Sequence, residues 1–201
     1  MKRIYLQIWE KAKPFYEKGR PMDIDHVEWM MKEALLVCEK ENLDDSLLVP
    51  LVILHDVGYS AINNVKNVDY YQGDIRKAHM KAGKIITTDI LKQLEYPNTK
   101  TGQIAKYVSV HDNWSFGEID LYMNDKILGN FKDLDYIWMF TPKGFSLVQK
   151  ILGKTNKEMI EYLKTEPSPI GGKKPFSSQT TKRLHDKYLR DRKVDNKVIR
   201  S

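Results

Sequence analysis

Cysteine is almost missing from this chain of 201 residues. Cys38 stands alone, so no internal disulfide can form and no cage of thiolates can hold a metal. Long apolar runs are missing as well: the longest, Leu47 to Leu54, is far too short to cross a bilayer, and no membrane span is expected. The opening residues, Met1-Lys2-Arg3-Ile4-Tyr5, are soon followed by Glu10, Lys11 and Lys13. They lack the apolar stretch and small-residue cleavage site of a secretory leader, and the cytoplasm is the expected compartment. There is no internal repeat, no low-complexity block and no series of alternating strands separated by hairpin signals. What remains, 41% hydrophobic and 30% charged residues, is the make-up of an ordinary globular protein with room for one substantial core.

Apolar residues recur at helical spacing, so the fold class is all-α. A first helix is expected over roughly Arg3 to Glu17, bent near Pro14. A second begins after Asp23 or Asp25, either of which can cap it, and carries His26. Leu47 to Leu54 is apolar on every side, as a central buried helix would be. Pro50 is tolerated early in that helix, and Gly58 is expected to close it in a left-handed conformation after His55-Asp56. After a polar stretch from Ser60 to Tyr70, helices follow over about Asp74 to Glu95 and Gly102 to Val110. Ile119 to Trp138 should be helical with a break near Gly129, and Phe145 to Lys164 supplies one or two more helices. Pro167 to Gly172 looks like a linker. The chain therefore divides into a helical domain, 1–164, and a linker with a basic C-terminal tail, 165–201.

The formal charge of +6 sits in that tail, which from Thr165 holds ten Lys or Arg against four Asp or Glu. Within it Ser177 to Lys193 reads as a basic helix with a narrow stripe of Leu184, Tyr188 and Leu189. A solvated helix, docking on the domain or a partner, steering of an anionic substrate and contact with nucleic acid all stay open, nucleic acid being the less favoured.

Four of the five histidines, His26, His55, His79 and His111, fall in successive expected helices or at their ends, while His185 lies in the tail. His55-Asp56, in the setting Leu-Leu-Val-Pro-Leu-Val-Ile-Leu-His-Asp-Val-Gly-Tyr, resembles the motif that names the HD superfamily. His26 matches the histidine those proteins carry one helix earlier. Asp135, in Leu134-Asp135-Tyr136-Ile137, matches their later aspartate, with Asp133 as the alternative two residues away. His79 and His111 resemble the two further histidines of members with two metals. The resemblance spans about residues 20 to 150 and implies an HD-type helical bundle with a buried metal site.

Imidazole nitrogen and carboxylate oxygen suit borderline divalent ions: iron, manganese, zinc, cobalt or nickel. Six donors exceed what one ion takes while keeping an open position, so two ions are expected, with Asp56 as the bridge. In that arrangement His26, His55, Asp56 and Asp135 hold one ion, and Asp56, His79 and His111 the other. A single ion, with His79 and His111 binding substrate phosphate or donating protons, is the alternative. Asp56, His79 and His111 are the catalytic candidates. Arg76, three residues before His79 and on the same helical face, is a candidate phosphate ligand, and so are Tyr59 and Asp112 as substrate contacts. Trp114, Phe116, Tyr122, Trp138 and Phe140 are candidates for pocket or core.

The resemblance implies a metal-dependent phosphohydrolase acting with metal-activated water on a nucleotide, a cyclic nucleotide or another small phosphate ester. Many relatives place a lysine shortly after the HD pair. This chain has Val57-Gly58-Tyr59-Ser60 there, which keeps open a second class, the di-iron HD-type oxygenases. A non-catalytic regulatory or binding module is the third reading.

Overall fold

A computed structural model describes residues 1–62, 72–165 and 176–198, and among them there is no strand. The described helices are α1 (Arg3–Lys18), α2 (Ile24–Glu41), α3 (Asp45–Leu54), α4 (Gly73–Gln93) and α5 (Asn98–Val108). They continue with α6 (Asp120–Met123), α7 (Lys126–Trp138), α8 (Pro142–Leu152), α9 (Asn156–Thr165) and α10 (Gln179–Val198). The expected linker at Pro167 to Gly172, and most of the polar stretch from Ser60 to Tyr70, lie outside the described residues. No described helix is long and apolar enough to cross a membrane.

The organising element is α3. Every residue from Leu47 to Leu54 is buried, and α1, α2, α5 and α7 pack around the helix. Each large apolar side chain taken fully out of water contributes about 1.5–3 kcal/mol, so burial holds this β-branched segment helical against its weak intrinsic propensity. Its start is set by Asp44, whose carboxylate accepts the Ser46 amide at 3.0 Å. Pro50 stands further into the helix than the sequence reading supposed, at its sixth residue, where the missing amide deprives the Ser46 carbonyl of its helical donor. The Tyr96 hydroxyl supplies the replacement, donating to that carbonyl at 2.7 Å.

Gly58 departs from expectation. It does not adopt a left-handed conformation, because the chain continues after Asp56 into a 3₁₀ turn, Val57–Ala61. The requirement is clearance: an ideal Cβ on Gly58 would stand 1.9 Å from the His79 carbonyl oxygen and 2.6 Å from the Gly83 amide nitrogen. The turn that carries Asp56 therefore lies backbone to backbone on α4, the helix that carries His79.

Two other local expectations are corrected. Asp23 precedes α2 without capping it and pairs with Arg20 Nε at 3.0 Å instead. The break in the Ile119 to Trp138 region falls at Asn124 and Asp125, not at Gly129. Asp125 caps α7 by accepting the Ile127 and Leu128 amides at 2.9 and 3.0 Å, whereas Gly129 continues inside the helix, pressed against Ser177 and the Tyr122 carbonyl. Downstream, Thr141 caps α8 through the Gly144 amide at 3.1 Å, which gives the Trp138 to Phe145 segment its physical role as a tight helix-to-helix corner.

The basic C-terminal helix is docked. α10 lies against α2, α7 and α9, and its Leu184 packs on the main core while Tyr188 and Leu189 pack on a second apolar cluster of Tyr136, Phe140, Phe145, Val148, Met159 and Leu163. Asp133 of α7 fastens its start: the Ser177 amide and the Thr181 hydroxyl donate to its carboxylate at 2.6 and 2.8 Å, and buried Lys132 lies 3.1 Å away. Trp29 of α2 donates its indole N–H to the Tyr188 hydroxyl at 3.2 Å.

Candidate metal centre

Six donors from five helices converge at the inner end of α3. His26 comes from the first turn of α2, His55 and Asp56 follow α3 directly, His79 is on α4, His111 follows α5 and Asp135 is on α7. They fall into two trios whose ligand atoms lie within 4.8 Å of one another, His26, His55 and Asp135 in the first and Asp56, His79 and His111 in the second. In the first, His26 Nε2 is 3.3 Å from Asp135 Oδ1. In the second, His79 and His111 present their Nε2 atoms to Asp56 Oδ1 at 3.3 and 3.2 Å and to each other at 3.2 Å. The other oxygen, Asp56 Oδ2, is 3.3 Å from His55 Nε2. Asp56 thus turns one oxygen to each trio. Asp133 points away, toward α10.

The local fold sets the tautomers. Nδ1 of His55 lies 2.8 Å from the Val52 carbonyl and Nδ1 of His111 lies 2.8 Å from the Val108 carbonyl, each one helical turn back. A carbonyl only accepts, so Nδ1 carries a hydrogen, and in the neutral ring Nε2 is left with a lone pair aimed inward. Aromatic rings hold the imidazoles in place: Tyr59 stacks on His79 at 4.0 Å, Trp138 stacks on His26 at 5.1 Å, and Phe131 meets His55 and His111 edge-on.

Three observations fit this donor set to divalent transition metals. The Nε2 atoms of His26 and His55 are buried and make no hydrogen bond. The donors are nitrogen and carboxylate oxygen, with no cysteine among them. Donors about 2.1 Å from one ion stand roughly 3.0–3.4 Å from each other around it; the spacings of 3.2 to 3.3 Å in the second trio and between His26 and Asp135 lie inside that range, and His55 stands within 4.8 Å of those two.

The electrostatics are those of a site that concentrates positive charge on negative. Burial alone would raise the Asp56 carboxyl, but His55, His111 and His79 around it hold it well below the usual carboxylate range. Burial alone would lower His55, yet the adjacent Asp56 carboxylate outweighs it and pushes the imidazole up to about 9. For His79 burial wins, and its imidazole is lowered. Asp135 is lowered against its burial by His26.

A cavity of about 650 Å³ opens beside the centre, with His26, Asp56, His111 and Asp135 in its wall. Arg76 and Asp112, both expected as substrate contacts, line it and are paired with each other at 2.7 Å. Tyr59 lines it too. Trp114, Phe116 and Trp138 are in the wall, while Tyr122 and Phe140 are buried in the core.

Arg20 and Asp23 were not foreseen as site residues. They line the cavity from the turn between α1 and α2, and the Arg20 guanidinium lies over the Tyr59 ring at 4.6 Å and 4.0 Å from Asp56 Oδ2. Burial raises Asp23 to about 6, with Arg20 opposing the shift. No sequence spacing marks this pair, because its partners are on other elements; the only local sign is the i, i+3 placement of opposite charges around Pro21. Arg20 brings positive charge to the region after the HD pair, where the sequence lacks the lysine. Compared with models of known families, with curated proteins and with solved structures, the chain finds no match.

Proposed function

We propose that this protein is a metal-dependent phosphohydrolase of the HD type, cleaving a nucleotide, a cyclic nucleotide or another small phosphate ester. The observation that carries the reading is Asp56, which turns one oxygen to each of two donor trios at the floor of a cavity that also holds two arginines. His26, His55, Asp56 and Asp135 would hold one divalent ion, and Asp56, His79 and His111 a second. Ions so held supply Lewis acidity toward phosphoryl oxygens and make water acidic enough to lose a proton near neutral pH.

The chain's own groups do the rest. Asp112 fixes the planar fork of Arg76, and Asp23 with Tyr59 fixes that of Arg20, so both cations are oriented before an anion arrives. Both are positioned to neutralise charge building on a phosphoryl group at the cavity floor. Asp23, its carboxyl raised to about 6 by burial, lines the same cavity beside Arg20.

Elemental analysis after anaerobic purification tests the reading, with phosphate release and oxygen uptake measured on the same preparation. Close to two ions per chain, falling toward one in His79→Ala, together with phosphate release that needs no oxygen, is the expected result. Turnover that consumes oxygen would move the protein to the di-iron oxygenases, and a chain that takes up no metal on reconstitution would end the catalytic reading.

A further inference from the structure

The cavity has two chemically different ends. Toward the donor trios it carries every charged side chain among its described lining residues: Arg20, Asp23, Asp56, Arg76, Asp112 and Asp135. Along α8 and α9 its lining is Leu147, Val148, Ile151 and Leu163, with Met139 just before α8, and Trp114 and Phe116 add apolar surface from the turn after α5. The hydrogen-bonding side chains in that half are neutral, Ser115, Tyr136 and Tyr162, and Ser115 already donates to the Asp112 carbonyl at 2.7 Å. Lysines reach this half only from its rim: Lys143 and Lys150 of α8 are exposed, Lys143 being paired with Asp25 at 2.7 Å, and Lys77 and Lys154 lie over the rings of Phe116 and Tyr162 at 5.2 and 5.4 Å.

From this division we infer that the substrate is a phosphomonoester with a flat or bulky apolar organic group, an aryl phosphate in its chemistry, seated with its phosphate at the trios and its ring against α8 and α9. The inference rests on the phosphohydrolase reading and narrows it. A second phosphate, a polyhydroxylated sugar or the ribose of a nucleotide would have to leave water for a wall with few partners, and a buried polar group without one costs several-fold to many-fold in binding. An aromatic or branched apolar body loses nothing there and gains contact with Met139, Leu147 and Ile151. The volume, about 650 Å³, is in the range of small-molecule pockets and exceeds what a phosphate and its ions occupy.

Non-hydrolysable phosphonates separate the preference of the cavity from the reactivity of a leaving group, and Trp114 and Trp138 in its wall report occupancy through their fluorescence. On the metal-loaded protein, naphthylmethylphosphonate should bind at least about 100-fold more tightly than methylphosphonate, and adenosine monophosphate should compete for it at least about tenfold more weakly than unlabelled naphthyl ligand. Ile151 is 46% exposed, so Ile151→Asp can be made without disturbing the core. It should weaken the naphthyl ligand by about tenfold or more and leave methylphosphonate unchanged. Equal binding of the naphthyl and methyl ligands, or competition by adenosine monophosphate as strong as the naphthyl ligand itself, overturns the inference.

The two readings fail separately. Phosphate released from several esters with no preference in phosphonate binding would leave the hydrolase and remove the aryl substrate. Tight naphthyl binding without phosphate release from naphthyl phosphate would leave the apolar subsite and remove the hydrolase.

Discussion

The two trios use similar donors and are supported by different means. Asp56, His79 and His111 stand on backbone packed at contact distance: the turn after Asp56 rests on α4 with no room for a Cβ at Gly58, and His111 is tied to its own helix through Val108. In the other trio His55 stands on the end of α3 beside Asp56, but His26 and Asp135 depend on α2 and α7, which are held from outside by α10 through Asp133, Thr181 and the Trp29–Tyr188 pair. One trio is built by clearance between backbones, the other by side-chain fastening from a distant segment. The lesson is that similar ligand chemistry need not have similar tolerance to change.

The strongest way to break the comparison is to remove what the trios share. Asp56→Asn keeps the shape but withdraws the charge common to both, and metal analysis should show both ions lost, with phosphate release down on the order of 10²–10³-fold. Asp133→Ala should tell the trios apart. It strands Lys132 in buried surroundings and takes the acceptor from the Ser177 amide, at a cost of about 3–5 kcal/mol in thermal or denaturant unfolding. Chelator competition should then show the ion at His26, His55 and Asp135 held roughly 10–100-fold less tightly, with the other little changed. Equal weakening of both ions would erase the distinction.

Gly58→Ala is the reciprocal test. The added methyl group forces α4 away from the turn, costing about 1–3 kcal/mol or more, and the first ion lost on chelation should be the one at His79 and His111. The smallest effect is that of pH. In the metal-free protein His55 is raised from 6.5 to about 9, so its stabilising contribution is complete below pH 6.5 and fades as pH rises through about 9. A metal bound at Nε2 would replace that proton. Calorimetry in buffers of different ionisation enthalpy at pH 7 should show net proton release, with affinity rising by up to about 1.4 kcal/mol per pH unit for each proton until it levels above pH 9.

Much of the helical architecture could be read from the sequence because its signals are local. The period of apolar residues marked α1, α2, α4 and α7, and the unbroken apolar run marked α3 as central. The order of His26, His55-Asp56, His79, His111 and Asp135 along the chain resembles that of HD proteins, and it is this resemblance that implies convergence. The choice of Asp135 over Asp133 as the carboxylate beside His26 rests on which way α7 faces, and both residues sit in that helix with similar neighbours in sequence. What stayed hidden depends on contacts between segments far apart. Arg20 reaches Asp56 and Tyr59 across the fold, Tyr96 completes Ser46 beneath Pro50, and Gly58 is dictated by the proximity of α4 rather than by its own conformation.

The span of chain between partners sets an order in time. Asp56, His79 and His111 lie within one stretch that ends just after α5, the first and the last 55 residues apart, and closing a shorter loop costs less entropy. The fastening of the other trio joins Trp29 to Tyr188 and Glu41 to Thr180, across 159 and 139 residues. On an emerging chain, the backbone packing around Asp56 needs no residue beyond His111, whereas Phe131 of α7 and then the α10 fastening of the half containing His26 come later.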